Sequence, residues 1–280
     1  MIRYLTFVLP LLIAACQLRA GEISYANPPM PRYRVEAKPF KASAADIKAV
    51  CTSAGRELWR FFPDYKIEAI VVQRDKRGPM VLHKRNDRGE IVLWLNTGGT
   101  FWCQYAYQFA HEFCHVLCGY DEDWKGNMWF EETICEMASL YAMRAMAKTW
   151  EKDPPYKHWA DYRKHIASYV QNVIDKREKV TQNGLQAYYE KHKETLRKDA
   201  GRRDLNGAMA VPLLELFEEK PERWEAVRWL NSKKSPKGET FETYIKKWHG
   251  AVPEKHKAFV RRVSALYGVK IKEPKRERAQ

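Results

Sequence analysis

The run His111-Glu112-Phe113-Cys114-His115 constrains this chain more than any other feature. It lies in an apolar stretch, from about Trp102 to Leu117, that reads as one helix closed by Gly119. Residues four apart on an α-helix stand one turn above each other on the same face, so the two imidazoles can converge on one metal ion. Glu112 follows the first histidine directly, which puts its carboxylate beside that metal and within reach of a water molecule. Two histidines suit zinc, which needs a third protein ligand and an open fourth position if it is to do chemistry. Cys114 sits about 60° from His111 on a helical wheel and matches poorly as a ligand.

A third ligand is available downstream, in Trp129-Phe130-Glu131-Glu132-Thr133-Ile134-Cys135-Glu136. This segment opens a helix predicted from about Phe130 to Ala147, with Glu132 and Glu136 on one face. Glu131 and Glu132 both qualify by distance along the chain. The i, i+4 relation between Glu132 and Glu136 favours Glu132. A plain reading of the histidines as satisfied helix residues leaves this second acidic helix unexplained.

Around this pair the chain reads as mixed α+β. Ala42 to Phe62 has helical periodicity through Ile47, Val50, Cys51, Ala54, Leu58, Phe61 and Phe62, with Ser43 as cap and Pro63 as stop. Three strand candidates follow, Ile67 to Gln73, Pro79 to Lys84 and Ile91 to Asn96. Asn86-Asp87-Arg88-Gly89 is a turn that suits a hairpin between the last two. Beyond Asp153-Pro154-Pro155 every segment up to Tyr267 reads as helical. The expected division is a leader over 1–20, an extended lead-in over 21–41 and a mixed catalytic region over 42–150. A helical lobe over 151–269 and a basic tail over 270–280 complete it.

The 280 residues, 45% hydrophobic, suffice for one sizeable core or two lobes with a cleft. The net charge of +14 is partly a solvated tail. With no zinc-finger spacing, RNA-recognition signature or Gly-rich phosphate loop, the expectation is no nucleic-acid partner. Arg3 followed by the apolar run Leu5 to Ala15 reads as a bacterial export signal, too short for a permanent span of about 20 residues. Ile13-Ala14-Ala15-Cys16 resembles a lipobox, which would lipidate Cys16 and attach the chain to a membrane. Cleavage after Ala20 is the alternative. Both imply a periplasmic, secreted or lipid-anchored protein. Export permits disulfides, but five cysteines after Cys16 leave at least one thiol free, and Cys114 and Cys118 are poorly placed to bridge each other.

From Ile91 to Tyr141, the order of strand, H-E-x-x-H helix and a helix start W-x-x-E with an acid four residues on resembles the gluzincins. These are zinc metallopeptidases with a zincin-like N-terminal lobe and a helical C-terminal lobe. The resemblance implies His111, His115 and Glu132 as Zn2+ ligands, Glu112 as general base, and Glu136 as the acid that hydrogen-bonds a ligand histidine. It implies hydrolysis of a peptide or protein substrate, with Ile91 to Asn96 as an edge strand along the cleft. An oxyanion-stabilising group should come from the helical lobe; Tyr188, Tyr189 and His192 lie there, and no motif selects among them. Two other readings stay open: an exported scaffold with a structural zinc, and a zinc amidase acting on a non-peptide substrate.

Overall fold

A computed structural model describes residues 29–119 and 126–272. The expected export signal, Cys16 and most of the basic tail lie outside the described residues. Within them, no helix is long and apolar enough to cross a membrane.

The predicted lead-in contains a strand that the sequence reading missed, β1 (Tyr33–Val35), followed by a 3-10 turn at Lys38–Phe40. Helix α1 (Ala44–Trp59) starts where Ser43 caps it, its side chain accepting from the Asp46 backbone N–H at 3.3 Å. Strands β2 (Ile70–Arg74), β3 (Met80–Val81) and β4 (Ile91–Leu95) fall within a few residues of the expected ones. The turn before β4 closes as anticipated: Gly89 N–H donates to the Asn86 carbonyl at 2.9 Å, and Gly89 takes the positive φ of +70° that glycine tolerates.

Sheet order is β1-β2-β4-β3, with β1, β2 and β4 parallel and β3 antiparallel to β4. This corrects the expectation for Ile91 to Asn96. That segment pairs on both sides, Val92 with Val71 and Leu93 with Val72 and Val81, so it is an interior strand. Its composition fits the position, because Ile91, Val92, Leu93 and Leu95 are all buried, as a strand covered on both faces requires. The edges are β1 and β3, and β3 is two residues long, preceded by Pro79 and carrying an exposed Met80.

Helix α2 (Trp102–Leu117) packs between α1 and the next helix, α3 (Met128–Thr149), with β3 and β4 also against it. Its buried Phe109 and Phe113 stack at 5.5 Å, and each contributes about 1.5–3 kcal/mol by leaving water. The remainder is helical as expected. A 3-10 segment, Lys157–Tyr162, leads into α4 (Arg163–Asp175), followed by α5 (Leu185–Lys198) and α6 (Arg203–Glu219). A 3-10 stretch, Pro221–Trp229, leads to α7 (Phe241–Ala251) and α8 (Glu254–Leu266). Helix α3 binds these to the sheet: it packs on α1 and α2 on one side and on α4, α5 and α6 on the other.

Candidate metal centre

The start of α3 is fixed by aromatic packing, and that packing sets which of its acids face α2. Trp129 stacks on Tyr189 at 4.9 Å and lies 4.7 Å from Phe241, while Phe130 packs on Phe241 and Tyr267. With both rings fully buried, α3 cannot rotate about its axis without opening the core. Glu131 and Glu132 then leave the helix about 100° apart and reach different atoms of the two histidines.

Glu132 faces the ring nitrogens that point into the site. Its Oε2 is 3.2 Å from His111 Nε2 and its Oε1 is 3.6 Å from His115 Nε2. A tetrahedral ion with ligands at about 2.0–2.1 Å holds them about 3.3 Å apart, close to both glutamate–histidine separations. One ligand atom from each of His111, His115 and Glu132 lies within 4.8 Å of the others.

Glu131, the rival ligand by sequence, turns the other way. Its Oε1 is 2.6 Å from His115 Nδ1, a contact that favours a proton on Nδ1 and, when the ring is neutral, a lone pair on Nε2. The other oxygen of Glu131 accepts from Asn231 Nδ2 at 2.7 Å, and Asn231 Oδ1 accepts from the Tyr244 hydroxyl at 2.8 Å. This chain of contacts runs from α7 to the histidine, and nothing in the sequence marked Asn231 or Tyr244.

Glu136 lies behind His111, but not in the role expected for it. Its Oε1 is 3.9 Å from His111 Nδ1, too long for a hydrogen bond. It is held instead by Tyr107, whose hydroxyl donates at 2.5 Å, and by Arg177, whose guanidinium donates at 2.9 Å. Arg177 also bonds the Arg203 carbonyl at 2.6 Å, which ties the start of α6 to the back of the site. Gly207 makes this possible, because a Cβ there would occupy the position of the guanidinium.

The imidazoles and carboxylates hold one another in their charged forms. Burial alone would raise the Glu132 carboxyl, but the charges of His115 and His111 outweigh it and hold Glu132 at about 2. Burial alone would lower His115, but Glu132, Glu131 and Glu112 outweigh it and push His115 up to about 10. His111 is raised against burial by Glu132, Glu112 and Glu136. Glu112 is raised by burial, with His111 and His115 opposing. Four buried or nearly buried acidic side chains thus surround two imidazoles, a donor set that could hold a divalent ion.

Glu112 lines a cavity of about 280 Å³ together with His115 and Glu132. Pro79, Met80, Val81 and Leu82, from the edge strand and its flanks, form the opposite wall. The helical candidates Tyr188, Tyr189 and His192 do not reach it. Tyr189 belongs to the Trp129 aromatic cluster, Tyr188 donates to Glu178 at 2.9 Å, and His192 packs on the Tyr188 ring. The positive charge from the helical half that acts on Glu112 and Glu132 is Arg203, exposed at the first residue of α6. Compared with known proteins, the chain matches no protein family, no curated protein and no solved structure.

Proposed function

We propose that this chain is a zinc-dependent hydrolase, a metallopeptidase of gluzincin type that acts outside the cytoplasm on peptides or proteins. The observation that carries the reading is the shared geometry of four side chains. Glu132 faces both histidine Nε2 atoms, and Glu112 stands beside them in the wall of the same cavity. A structural zinc site closes its fourth position with protein, whereas here open space lies against His115, Glu132 and Glu112.

His111, His115 and Glu132 would hold the ion. Bound zinc would lower the pKa of water from about 15.7 towards about 7 and polarise the scissile carbonyl. The work of this chain's own residues is then proton transfer and positioning. Glu112 takes the proton from the attacking water and delivers it to the leaving amine. Its upward shift by burial suits a group that must hold that proton between the two steps. Glu131 keeps His115 in the tautomer that leaves Nε2 free to ligate. Arg203 does not line the cavity, and its charge acts on Glu112 and Glu132 from the start of α6.

Edge strand β3 faces the cavity and pairs on one side only, with β4. An extended peptide laid along it gains backbone hydrogen bonds, which set register with little dependence on sequence. The apolar wall of Met80, Val81 and Leu82 favours an apolar side chain next to the scissile bond. A digest of a peptide mixture by the purified protein, read by mass spectrometry of the new termini, tests the reading. Cleavage that stops with a chelator and returns with zinc supports it. A mixture left intact by the zinc-loaded protein, with zinc stoichiometric at His111 and His115, would give the site a structural role.

A further inference from the structure

The pair of helices that builds the histidine site builds a second ligand cluster one turn further along. Cys114 on α2 and Cys118, the residue that caps its C-terminus, stand at i, i+4, and Cys135 meets them from α3. The three sulfurs lie within 4.8 Å of one another, and Cys114 and Cys118 are 4.0 Å apart. All three thiols are free and fully buried. On the α2 wheel Cys118 continues the stripe of His111 and His115, at i+7 from the first and i+3 from the second. The α2–α3 seam therefore carries two triads. One, of two histidines and a glutamate, lies against a cavity, and the other, of three cysteines, is sealed inside the core.

We propose that Cys114, Cys118 and Cys135 form a separate site for a soft, monovalent, three-coordinate cation of the Cu(I) class. Ligand type selects softness, since an all-sulfur set favours Cu(I), zinc or an iron–sulfur cluster over harder ions. Ligand number and burial then separate these. Structural zinc takes four ligands in a tetrahedron, and among the described residues no fourth histidine, cysteine or carboxylate joins the group. Iron–sulfur clusters use four protein ligands and need room for inorganic sulfide, which a fully buried triad between packed helices does not provide.

Spacing agrees with the assignment. An ion in the plane of three sulfurs, each about 2.3 Å away, holds them about 4.0 Å apart, the separation of Cys114 and Cys118. A disulfide needs a contraction to about 2.05 Å, which two cysteines one turn apart on a helix cannot achieve without distorting the backbone. Packing alone explains three buried cysteines, but not why their sulfurs converge: Cys51 and Cys103 are buried as well and belong to no such group. The inference does not rest on the hydrolase reading, because none of the three thiols is a ligand of the histidine site.

The test is an anaerobic titration of the full chain with Cu(I), in competition with a chromogenic Cu(I) chelator and with zinc present in excess. One equivalent of Cu(I) should bind to the wild type and also to the His111→Ala/His115→Ala double variant, which separates this site from the zinc site. Affinity should fall by more than about 100-fold in Cys118→Ala and in Cys135→Ala, beyond the cost of losing an outer partner of a metal site. Cys51→Ala and Cys103→Ala should bind like the wild type. X-ray absorption on the copper-loaded wild type should show sulfur alone, at about 2.3 Å, a readout that needs no variant to fold. Nitrogen or oxygen in the copper shell, equal binding by a folded Cys118→Ala, preference of the thiols for zinc, or a disulfide that includes Cys135 in the native protein would each overturn the proposal.

Discussion

Glu131 Oε1 lies 2.6 Å from His115 Nδ1, while its neighbour in sequence, Glu132, faces the Nε2 side of the same ring. Two adjacent glutamates thus grip opposite edges of one imidazole, and the step of about 100° between consecutive helical residues is what parts their roles. Removing each should therefore have different consequences. Glu132→Ala should abolish stoichiometric zinc. Glu131→Ala should weaken zinc by about 10–100-fold, the cost of losing the partner that orients a ligand. Glu131→Gln keeps an acceptor for Nδ1 and should fall between Glu131→Ala and the wild type. Competition with a zinc chelator ranks the variants. If Glu131→Ala lost zinc as completely as Glu132→Ala, the two glutamates would have to exchange roles.

The chain behind Glu131 should respond in proportion to what each change leaves unpaired. Tyr244→Phe removes the donor to Asn231 Oδ1 and keeps the ring in the core. A stability loss of about 1–2 kcal/mol is expected from the stranded amide oxygen, with a modest loss of zinc affinity. Urea midpoints and zinc competition on the same protein measure both. Unchanged stability would mean that water replaces the hydroxyl.

Protons and the proposed zinc would compete for the same site, and the direction follows from the shifts. His115 is raised from 6.5 to about 10 in the folded, metal-free chain. A raised pKa gives stability that is fully present below about 6.5 and lost as pH rises through about 10. Glu112, raised by burial, acts in the same sense from its ordinary 4.5 upward. Glu132, lowered to about 2, gives stability present above 4.5 and lost only as pH falls through about 2. The metal-free chain should therefore lose stability on the alkaline side. Zinc, which replaces those protons, should stabilise the fold more at about pH 9 than at about pH 6. Thermal unfolding with and without a chelator at the two pH values reads this directly. A zinc increment that shrinks at the higher pH would contradict the protonated histidines.

Helices α2 and α3 were legible in the sequence because their signal is local: His111 with His115, Glu132 with Glu136, and apolar periodicity around both. The i, i+4 relation to Glu136 favours Glu132 over Glu131 as a ligand, and in the structure it is Glu132 that faces both Nε2 atoms. What escaped arrives from far away in the chain. Asn231 meets Glu131 across 100 residues and Arg177 meets Glu136 across 41, and no periodicity encodes such pairings. Strand β1 escaped because three residues next to a proline-rich lead-in carry no alternation, and its pairing with β2 is parallel and non-local. The edge position expected for Ile91 to Asn96 rests on the family resemblance alone, and pairing with β2 and β3 on its two sides overturns it. The weak segment bearing Pro79 and exposed Met80 is built like an edge.

Gly207 tests how far the α6 tether supports the site. Alanine there would force the Arg177 guanidinium off Glu136, which is nearly buried and whose other direct partner is Tyr107. Breaking a buried pair from one side costs about 3–5 kcal/mol, and the partial exposure of Arg177 reduces that to about 2–3 kcal/mol. Gly207→Ala should cost this much in denaturant unfolding. On an Arg177→Ala background the same change should cost little, because the clashing group is gone. Additive losses would show that Gly207 is needed for something other than Arg177.

The proposed role of Glu112 as general base is tested by the smallest change available, Glu112→Gln. The amide is nearly isosteric, and the carboxylate is not one of the three groups that face the metal position. Fold and zinc content should therefore survive, as circular dichroism and metal analysis would show. Turnover of the substrate found in the peptide digest should fall by about two to four orders of magnitude, the scale of a lost acid–base group. The loss should appear in kcat with KM nearly unchanged, since the side chain acts on the water and on the leaving amine and not on the bound peptide. Replacing a carboxylate that is costly to bury with a neutral amide also removes a desolvation penalty, so the variant should unfold at a slightly higher temperature than the wild type. More stable but nearly inactive is the signature of a group kept for chemistry. Equal turnover by the two proteins would remove Glu112 from the mechanism.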